Sequence, residues 1–205
     1  FDQLVKALDI TATRLGDEQF DLYATSFGSA VALLAMHSCP QRIQRAVLQG
    51  PLISMQFTLA ERVALGMLGW LPGLIQRLPF RNTVLQNNHR LWFPPFDITR
   101  WEFLLRETGV VPIRDVARRA KMLRTFDISS SLTTLATPSL IISCEGEAAR
   151  HRDAARLLGE RLPHAEVEEL SNSGHVPFVT HPHRLVKLIR PFLHPEQHAE
   201  NCSQR

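Results

Sequence analysis

The chain has 205 residues, of which 44% are hydrophobic and 21% are charged. This is the composition of a globular protein of about one domain, and it excludes disordered, collagen-like and low-complexity chains. Lysine and arginine outnumber aspartate and glutamate by 23 to 20, and both signs are mixed along the sequence. Nucleic-acid binding is therefore not indicated, and the locally basic stretch 114–124 is interpreted as a solvated helix face rather than a phosphate site.

Cysteine content and hydropathy exclude further classes of protein. Cys39, Cys144 and Cys202 are too few and too scattered for a disulfide framework or a zinc site. Because Cys144 lies in an apolar run, it is predicted to be a buried, reduced thiol, which favours a reducing, cytoplasmic location. No stretch reaches the roughly 18–20 apolar residues that span a bilayer, so no transmembrane segment is predicted.

The first fifty residues alternate between helix and strand. Apolar spacing predicts a helix over 1–15, a strand over 20–24, a second helix that ends near Pro40, and a strand over 43–48. This alternation favours a parallel sheet with helical crossovers.

The alternation breaks over residues 52–135, where helical patterns are separated by prolines and all three tryptophans occur. It then resumes with a strand over 139–143, a polar helix over 149–162, a strand over 165–170 and a closing helix over 183–193. The predicted organisation is an α/β core (1–54 and 126–193), an inserted helical cap (55–125) and a disordered tail (194–205).

The segment from Phe20 to Ser29 predicts a strand that runs directly into a helix through Ala24, Ser26 and Gly28. Small residues two before and two after Ser26 permit a sharp turn that lifts its hydroxyl to the carboxyl end of the sheet. Such a hydroxyl needs a base within hydrogen-bond reach before it acts as a nucleophile. The N–H of Phe27 would point at the developing oxyanion. The alternative is that Ser26 only caps the helix.

Two further segments offer partners for Ser26. His175 lies in SNSGHVP, directly after the last predicted strand, and Glu147 lies in the loop after the strand at 139–143. The chain order is then serine, acid, histidine. Glu145 is the second choice for the acid and Asp153 the third, while a surface histidine and a solvated glutamate are the alternatives. The remaining histidines are interpreted as surface or structural residues: His37, His89, His151, His164, His181, His183, His194 and His198.

Taken together, ATSFGSAVAL, RAVLQGPL, TPSLIISCEGE and NSGHVPFVTHPHRLVKLIRPFL resemble the α/β-hydrolase fold superfamily in its form with a helical cap. The resemblance covers nearly all of residues 1–193. Ala24 stands where the family pattern has glycine, and Glu147 where it usually has aspartate.

The resemblance implies a partial α/β-hydrolase fold, with a parallel sheet of about four strands flanked by helices. In the family, four more strands come before the helix that matches 1–15, and a loop among them supplies a second oxyanion donor. The strand at 20–25 is therefore expected to be a bare sheet edge, open to a missing segment or a partner.

The same resemblance implies a serine hydrolase that acts on an ester, a thioester or a similar carbonyl of a small, apolar substrate. Ser26 would be the nucleophile, His175 the base and Glu147 the orienting acid, with no metal or organic cofactor. The alternative is a truncated, inactive remnant that serves as a binding or interaction module. A flavodoxin-like or nucleotide-binding domain is disfavoured because neither GxGxxG nor GxxxxGK[ST] occurs.

Overall fold

A four-stranded parallel sheet forms the centre of the structure, a computed structural model that describes residues 1–196. The strands lie side by side in chain order, and each pairs in parallel with the next. They are β1 (Phe20–Thr25), β2 (Ile43–Gln49), β3 (Ser139–Cys144) and β4 (Ala165–Leu170). The predicted partial α/β-hydrolase sheet of four strands is confirmed.

Helices connect the strands and fill the long insertion between β2 and β3. The α-helices are α1 (Asp2–Leu15), α2 (Phe27–Ser38), α3 (Leu59–Leu68), α4 (Arg81–His89), α5 (Ile98–Gly109), α6 (Ile113–Leu123), α7 (Ala149–Arg161), α8 (Pro177–Thr180) and α9 (Pro182–Leu193). Short 3₁₀ turns occupy Pro40–Arg42, Ile75–Arg77, Arg90–Trp92 and Ser129–Thr134.

Side chains of the central strands alternate between two cores, as a period of two requires. Leu48 and Ile141 belong to the core that includes residues of α2 and α7. Their neighbours Val47 and Ile142 point to the opposite face, in a second core with residues of α9. Helices on both faces exclude water from the two central strands, so the carboxyl ends of these strands are held in fixed positions.

The strand β1 is an edge of the sheet, as the sequence predicted, since it pairs only with β2 among the described residues. Its Tyr23 is 41% exposed. The disordered tail predicted for 194–205 falls mainly on residues 197–205, which lie outside the described part of the chain.

The insertion between β2 and β3 is helical, and within residues 1–196 its extended pairing is limited to the isolated bridges Ser54–Asp127 and Leu74–Pro112. A small core of Phe93, Trp101 and Leu104 joins it to the segment that follows β4. We call residues 50–138 the inserted helical segment; its division into a cap at 55–125 stays a prediction. In the described chain, every helix is too short or too polar to cross a bilayer.

Candidate active site

Ser26 forms the turn between β1 and α2 with φ 49° and ψ −118°, a backbone conformation that is rare outside glycine. Its N–H donates to the Gln49 carbonyl at 3.1 Å, which ties the turn to the end of β2. The hydroxyl makes no capping hydrogen bond, so the structure does not support the N-cap alternative. A Cβ added to Gly28 would lie 3.9 Å from the Ala24 Cβ, which shows that alanine is small enough at this turn.

Glu147 is the buried acid of the site, with only 2% of its surface exposed. Its Oε1 lies 2.9 Å from His175 Nδ1 and accepts from Gln49 Nε2 at 2.8 Å. Its Oε2 accepts from the Cys144 N–H at 3.1 Å. Buried polar groups need hydrogen-bond partners, and here three donors surround the carboxylate.

The other two acids considered from the sequence lie elsewhere. Glu145 is exposed, and its Oε2 accepts from the backbone N–H of Asn172 at 2.7 Å. Glu145 therefore stabilises the loop before His175, and Glu147 is the acid that contacts the imidazole. Asp153 is exposed on α7, where it makes no hydrogen bond to His175.

His175 follows β4, and its side chain is 23% exposed. Because Nδ1 faces the Glu147 carboxylate, the neutral ring carries its proton on Nδ1 and leaves Nε2 free as the basic atom. No hydrogen bond joins Ser26 Oγ to His175 within residues 1–196. Hydrogen bonds of this kind are often long in unliganded enzymes and tighten when substrate binds.

Gly50 lies between the serine turn and the acid–histidine pair. Its φ is 53°, and a Cβ built there would come within 2.8 Å of His175 Cε1 and would overlap Glu147 Oε1. Since Ser26 bonds to the carbonyl of the preceding Gln49, the three predicted residues converge on the carboxyl ends of β1, β2 and β3.

Gln49 is a site residue that sequence reasoning missed. It is fully buried, and its amide donates to Glu147 Oε1 at 2.8 Å and to the His175 carbonyl at 3.3 Å. The available signal was a polar residue that ends the apolar run Ala46–Leu48 just before a glycine.

Two histidines that were interpreted as surface or structural residues also lie near His175. His151 is 9% exposed, and its Nδ1 lies 2.9 Å from the Gly50 carbonyl. Burial is the main cause that lowers the pKa of His151, and the proximity of His175 is the second. The same two causes lower the pKa of His89, whose buried Nδ1 has no hydrogen-bond partner among the described residues.

Trp92, from the inserted helical segment, covers the loops that carry the acid and the histidine. A Cβ at Gly174 would lie 2.6 Å from Trp92 Cδ1, and one at Gly146 would overlap the indole ring. The two glycines therefore let the indole contact both loops.

Phe27 begins α2 directly after Ser26, and its backbone N–H has no acceptor among residues 1–196. The ring stacks on Phe1 at 5.6 Å, and the Arg119 guanidinium lies 5.9 Å from its centre. These contacts pack the Phe27 ring against Phe1, at the start of α1, and against Arg119 of α6. The free N–H at a helix N-terminus suits a developing negative charge.

Burial also affects the reactivity of the Cys144 thiol. It raises the pKa of Cys144 to about 12, with a smaller contribution from the Glu147 charge. The Cys144 sulfur therefore stays protonated beside the site, because a thiolate there would be both buried and close to a carboxylate.

Comparison with known proteins identifies the family. The model of the Alpha/beta hydrolase family matches residues 1–188. The chain belongs to this family. This α/β-hydrolase is 32% identical to the "Putative carbamate hydrolase RutD" of Pseudomonas syringae over 79 residues, which are 38% of the chain and 30% of that protein. The match spans less than a third of the relative.

Solved structures agree on the fold of this α/β-hydrolase. MenH from S. aureus superposes with a TM-score of 0.73 at 17% identity, over 96% of this chain and 76% of its own. A hydrolase from Pseudomonas aeruginosa gives 0.74 at 17%, over 92% and 70%. A thermophilic esterase from Thermogutta terrifontis gives 0.70 at 16%, over 89% and 68%. At these identities the likeness concerns the fold.

Proposed function

We propose that the chain is a serine hydrolase that cleaves an ester, a thioester or a similar carbonyl compound. Ser26 Oγ attacks the carbonyl carbon while His175 Nε2 takes the hydroxyl proton. The same histidine returns that proton to the leaving group, and water then releases the acyl group from Ser26. Glu147 holds the imidazole by Nδ1 and stabilises its protonated form.

One observation carries this proposal. The Glu147–His175 pair, 2.9 Å apart, lies at the carboxyl ends of the strands, as does a serine with positive φ. A positive φ on a non-glycine residue is strained, and such strain concentrates at functional sites. The burial of Glu147 strengthens the pair, because a charge that water does not screen stabilises the imidazolium more.

The N–H of Phe27 is proposed as one oxyanion donor, since it follows the nucleophile and has no acceptor in the described chain. Removing one of two such donors costs about 10²–10³ in rate in known hydrolases.

The substrate class follows from chemistry shared with the relatives. One relative is named for carbamate and one structural neighbour is an esterase, and both kinds of substrate present a carbonyl carbon bonded to a heteroatom leaving group. Trp92 and the aromatic residues of the inserted helical segment border the site, which favours a small substrate with an apolar part. We propose that this segment acts as a cap over the bound substrate.

The test is covalent labelling with a fluorophosphonate, followed by intact mass spectrometry. Ser26 Oγ would attack phosphorus, fluoride would leave, and His175 would take the hydroxyl proton. We expect one adduct on the wild type and none on Ser26→Ala. Ser38→Ala is the matched control, because Ser38 is exposed at the end of the same helix α2 and should keep the full adduct.

Labelling of folded, monodisperse wild type that survives Ser26→Ala would place the nucleophile elsewhere and overturn the assignment. Absence of any adduct on folded wild type would favour the alternative, a hydrolase-like module that binds without catalysis. Circular dichroism of each variant separates loss of reactivity from loss of the fold.

A further inference from the structure

A cleft of about 570 Å³ runs between α3 and α6 on the inserted helical segment. Its walls carry five cations and no carboxylate: Arg62, Arg114, Arg118, Lys121 and Arg124. All five are exposed, and none takes part in an ion pair within the described residues. The cleft is separate from the candidate active site, since Ser26, Glu147 and His175 do not line it.

The floor of the cleft is apolar and lined by small residues. Gly66 and Gly69 of the α3 side face Ala117 and Ala120 of α6. A Cβ built on Gly66 would meet nothing within 4 Å, and one on Gly69 would lie 3.8 Å from the Ala117 Cβ. The open space thus exists because side chains that could fill it are absent from both helices.

An exposed tryptophan borders this floor. Trp70 is 91% exposed, although indole is one of the largest apolar surfaces a side chain can bury. Leu65 extends the same apolar surface. Cations around an apolar channel match a ligand that carries negative charge at one end and hydrocarbon at the other.

We propose that the α3–α6 cleft binds an anionic amphiphile, with a phosphate or carboxylate head group on the arginines and an alkyl chain along the glycine–alanine floor. Arginine suits such head groups because its planar guanidinium forms paired hydrogen bonds with their oxygens. The alkyl chain would cover Trp70 and gain stabilisation from the apolar area removed from water. The ligand could arrive as a soluble monomer or as a lipid in a bilayer.

Calorimetric titration with octyl phosphate, below its micelle concentration, tests the site directly. Octanol supplies the same chain without charge, and inorganic phosphate supplies the charge without the chain. We expect octyl phosphate to bind at least about tenfold more tightly than either one, with an affinity that falls as salt screens the cations.

Two variants address the two halves of the cleft. Arg118→Gln/Lys121→Gln should weaken octyl phosphate by about tenfold or more, because charge-assisted hydrogen bonds are lost. The matched control is Arg161→Gln/Arg190→Gln, which removes two exposed cations from other helices and should change nothing. Gly66→Leu should fill the floor and weaken binding as well, while it improves the helix propensity of α3.

Vesicles distinguish the two sources of the ligand. Two results together would assign a lipid as the source. The protein would bind phosphatidylglycerol vesicles but not phosphatidylcholine vesicles, and Gly66→Leu would weaken that binding. Binding of monomeric octyl phosphate without vesicle binding would assign a soluble amphiphile. Equal affinity of wild type and both cleft variants, or of octyl phosphate and octanol, would overturn the proposal. None of these readouts requires hydrolysis, so the site can fail or stand independently of the catalytic proposal.

Discussion

The ring of His151 lies against the ring of His175, with 4.5 Å between their centres and 38° between their planes. His151 Nδ1 faces the carbonyl oxygens of Gly50 and Pro51 at 2.9 and 3.2 Å, which fixes the proton of the neutral ring on Nδ1. Two positive imidazoles at this distance would repel each other. His151 therefore acts as a neutral support for His175.

This arrangement predicts a stability that depends on pH. Burial lowers the pKa of His151 in the fold below its ordinary value of 6.5. Below about pH 6.5 this histidine therefore binds a proton in the unfolded chain but not in the folded chain. As the pH falls, stability decreases until the pKa of the folded state is reached. We expect the free energy of unfolding, from urea titrations, to fall as the pH drops below about 6.5, by up to about 1.4 kcal/mol per pH unit per group.

His151→Gln should flatten this dependence, because it removes the titrating ring while the amide can still donate to the carbonyls. His37→Gln, at an exposed position of α2, should leave it unchanged. His89 has a pKa lowered in the same direction, mainly by burial, so some dependence should remain in His151→Gln. Parallel curves for wild type and His151→Gln would contradict this role.

The sequence predicted the elements that have local signals. Ser26 could be found because small residues surround it between a strand and a helix, and all of these lie within a few positions. Glu147 and Glu145 are two residues apart in one loop, and only the turn after β3 decides which of them faces inward. Short-range patterns therefore identified the loop, and the family resemblance put Glu147 first; the three-dimensional turn brings this acid, and not Glu145, to His175.

Gln49 and His151 escaped notice for a different reason. Their partners are about a hundred residues away along the chain, so no local spacing shows the contact. His151 lies in an arginine-rich segment that looks solvent-facing, although Ala154, Ala155 and Leu158 mark the buried face on which it lies. Helical periodicity contained that signal, and the local abundance of charge obscured it.

Replacing the buried acid should show that Glu147 orients the imidazole. In Glu147→Gln an amide faces His175 Nδ1 and favours the wrong tautomer, so the rate of fluorophosphonate labelling should fall by about 10³–10⁴. Glu145→Gln changes the neighbouring acid in the same way, and it should stay within a few-fold of wild type because its partner is a backbone N–H. A larger loss in Glu145→Gln than in Glu147→Gln would transfer the role to Glu145.

Gln49 should support both members of the acid–histidine pair. Gln49→Leu keeps a similar volume but removes donors to Glu147 and to the His175 carbonyl, which should cost about 1–3 kcal/mol of unfolding free energy. Labelling should slow as well, because the carboxylate loses one of three donors. Gln44→Leu lies on the same strand but is exposed, and its stability should change by less than about 0.5 kcal/mol. Chemical denaturation of the two variants gives the comparison.

Gly50 should tolerate a side chain poorly, since two separate costs meet there. Its φ of 53° is strained for alanine, and the added Cβ would lie 2.9 Å from His175 Nδ1 and overlap Glu147 Oε1. Gly16→Ala isolates the first cost, because Gly16 has φ 84° with nothing within 4 Å of a built Cβ. We expect Gly16→Ala to cost about 1–2 kcal/mol and to keep full labelling. Gly50→Ala should cost about 1–3 kcal/mol more and abolish labelling, since it pushes the imidazole off the acid. Equal stability loss in the two variants, with labelling intact in both, would show that His175 and Glu147 are free to move away from Gly50.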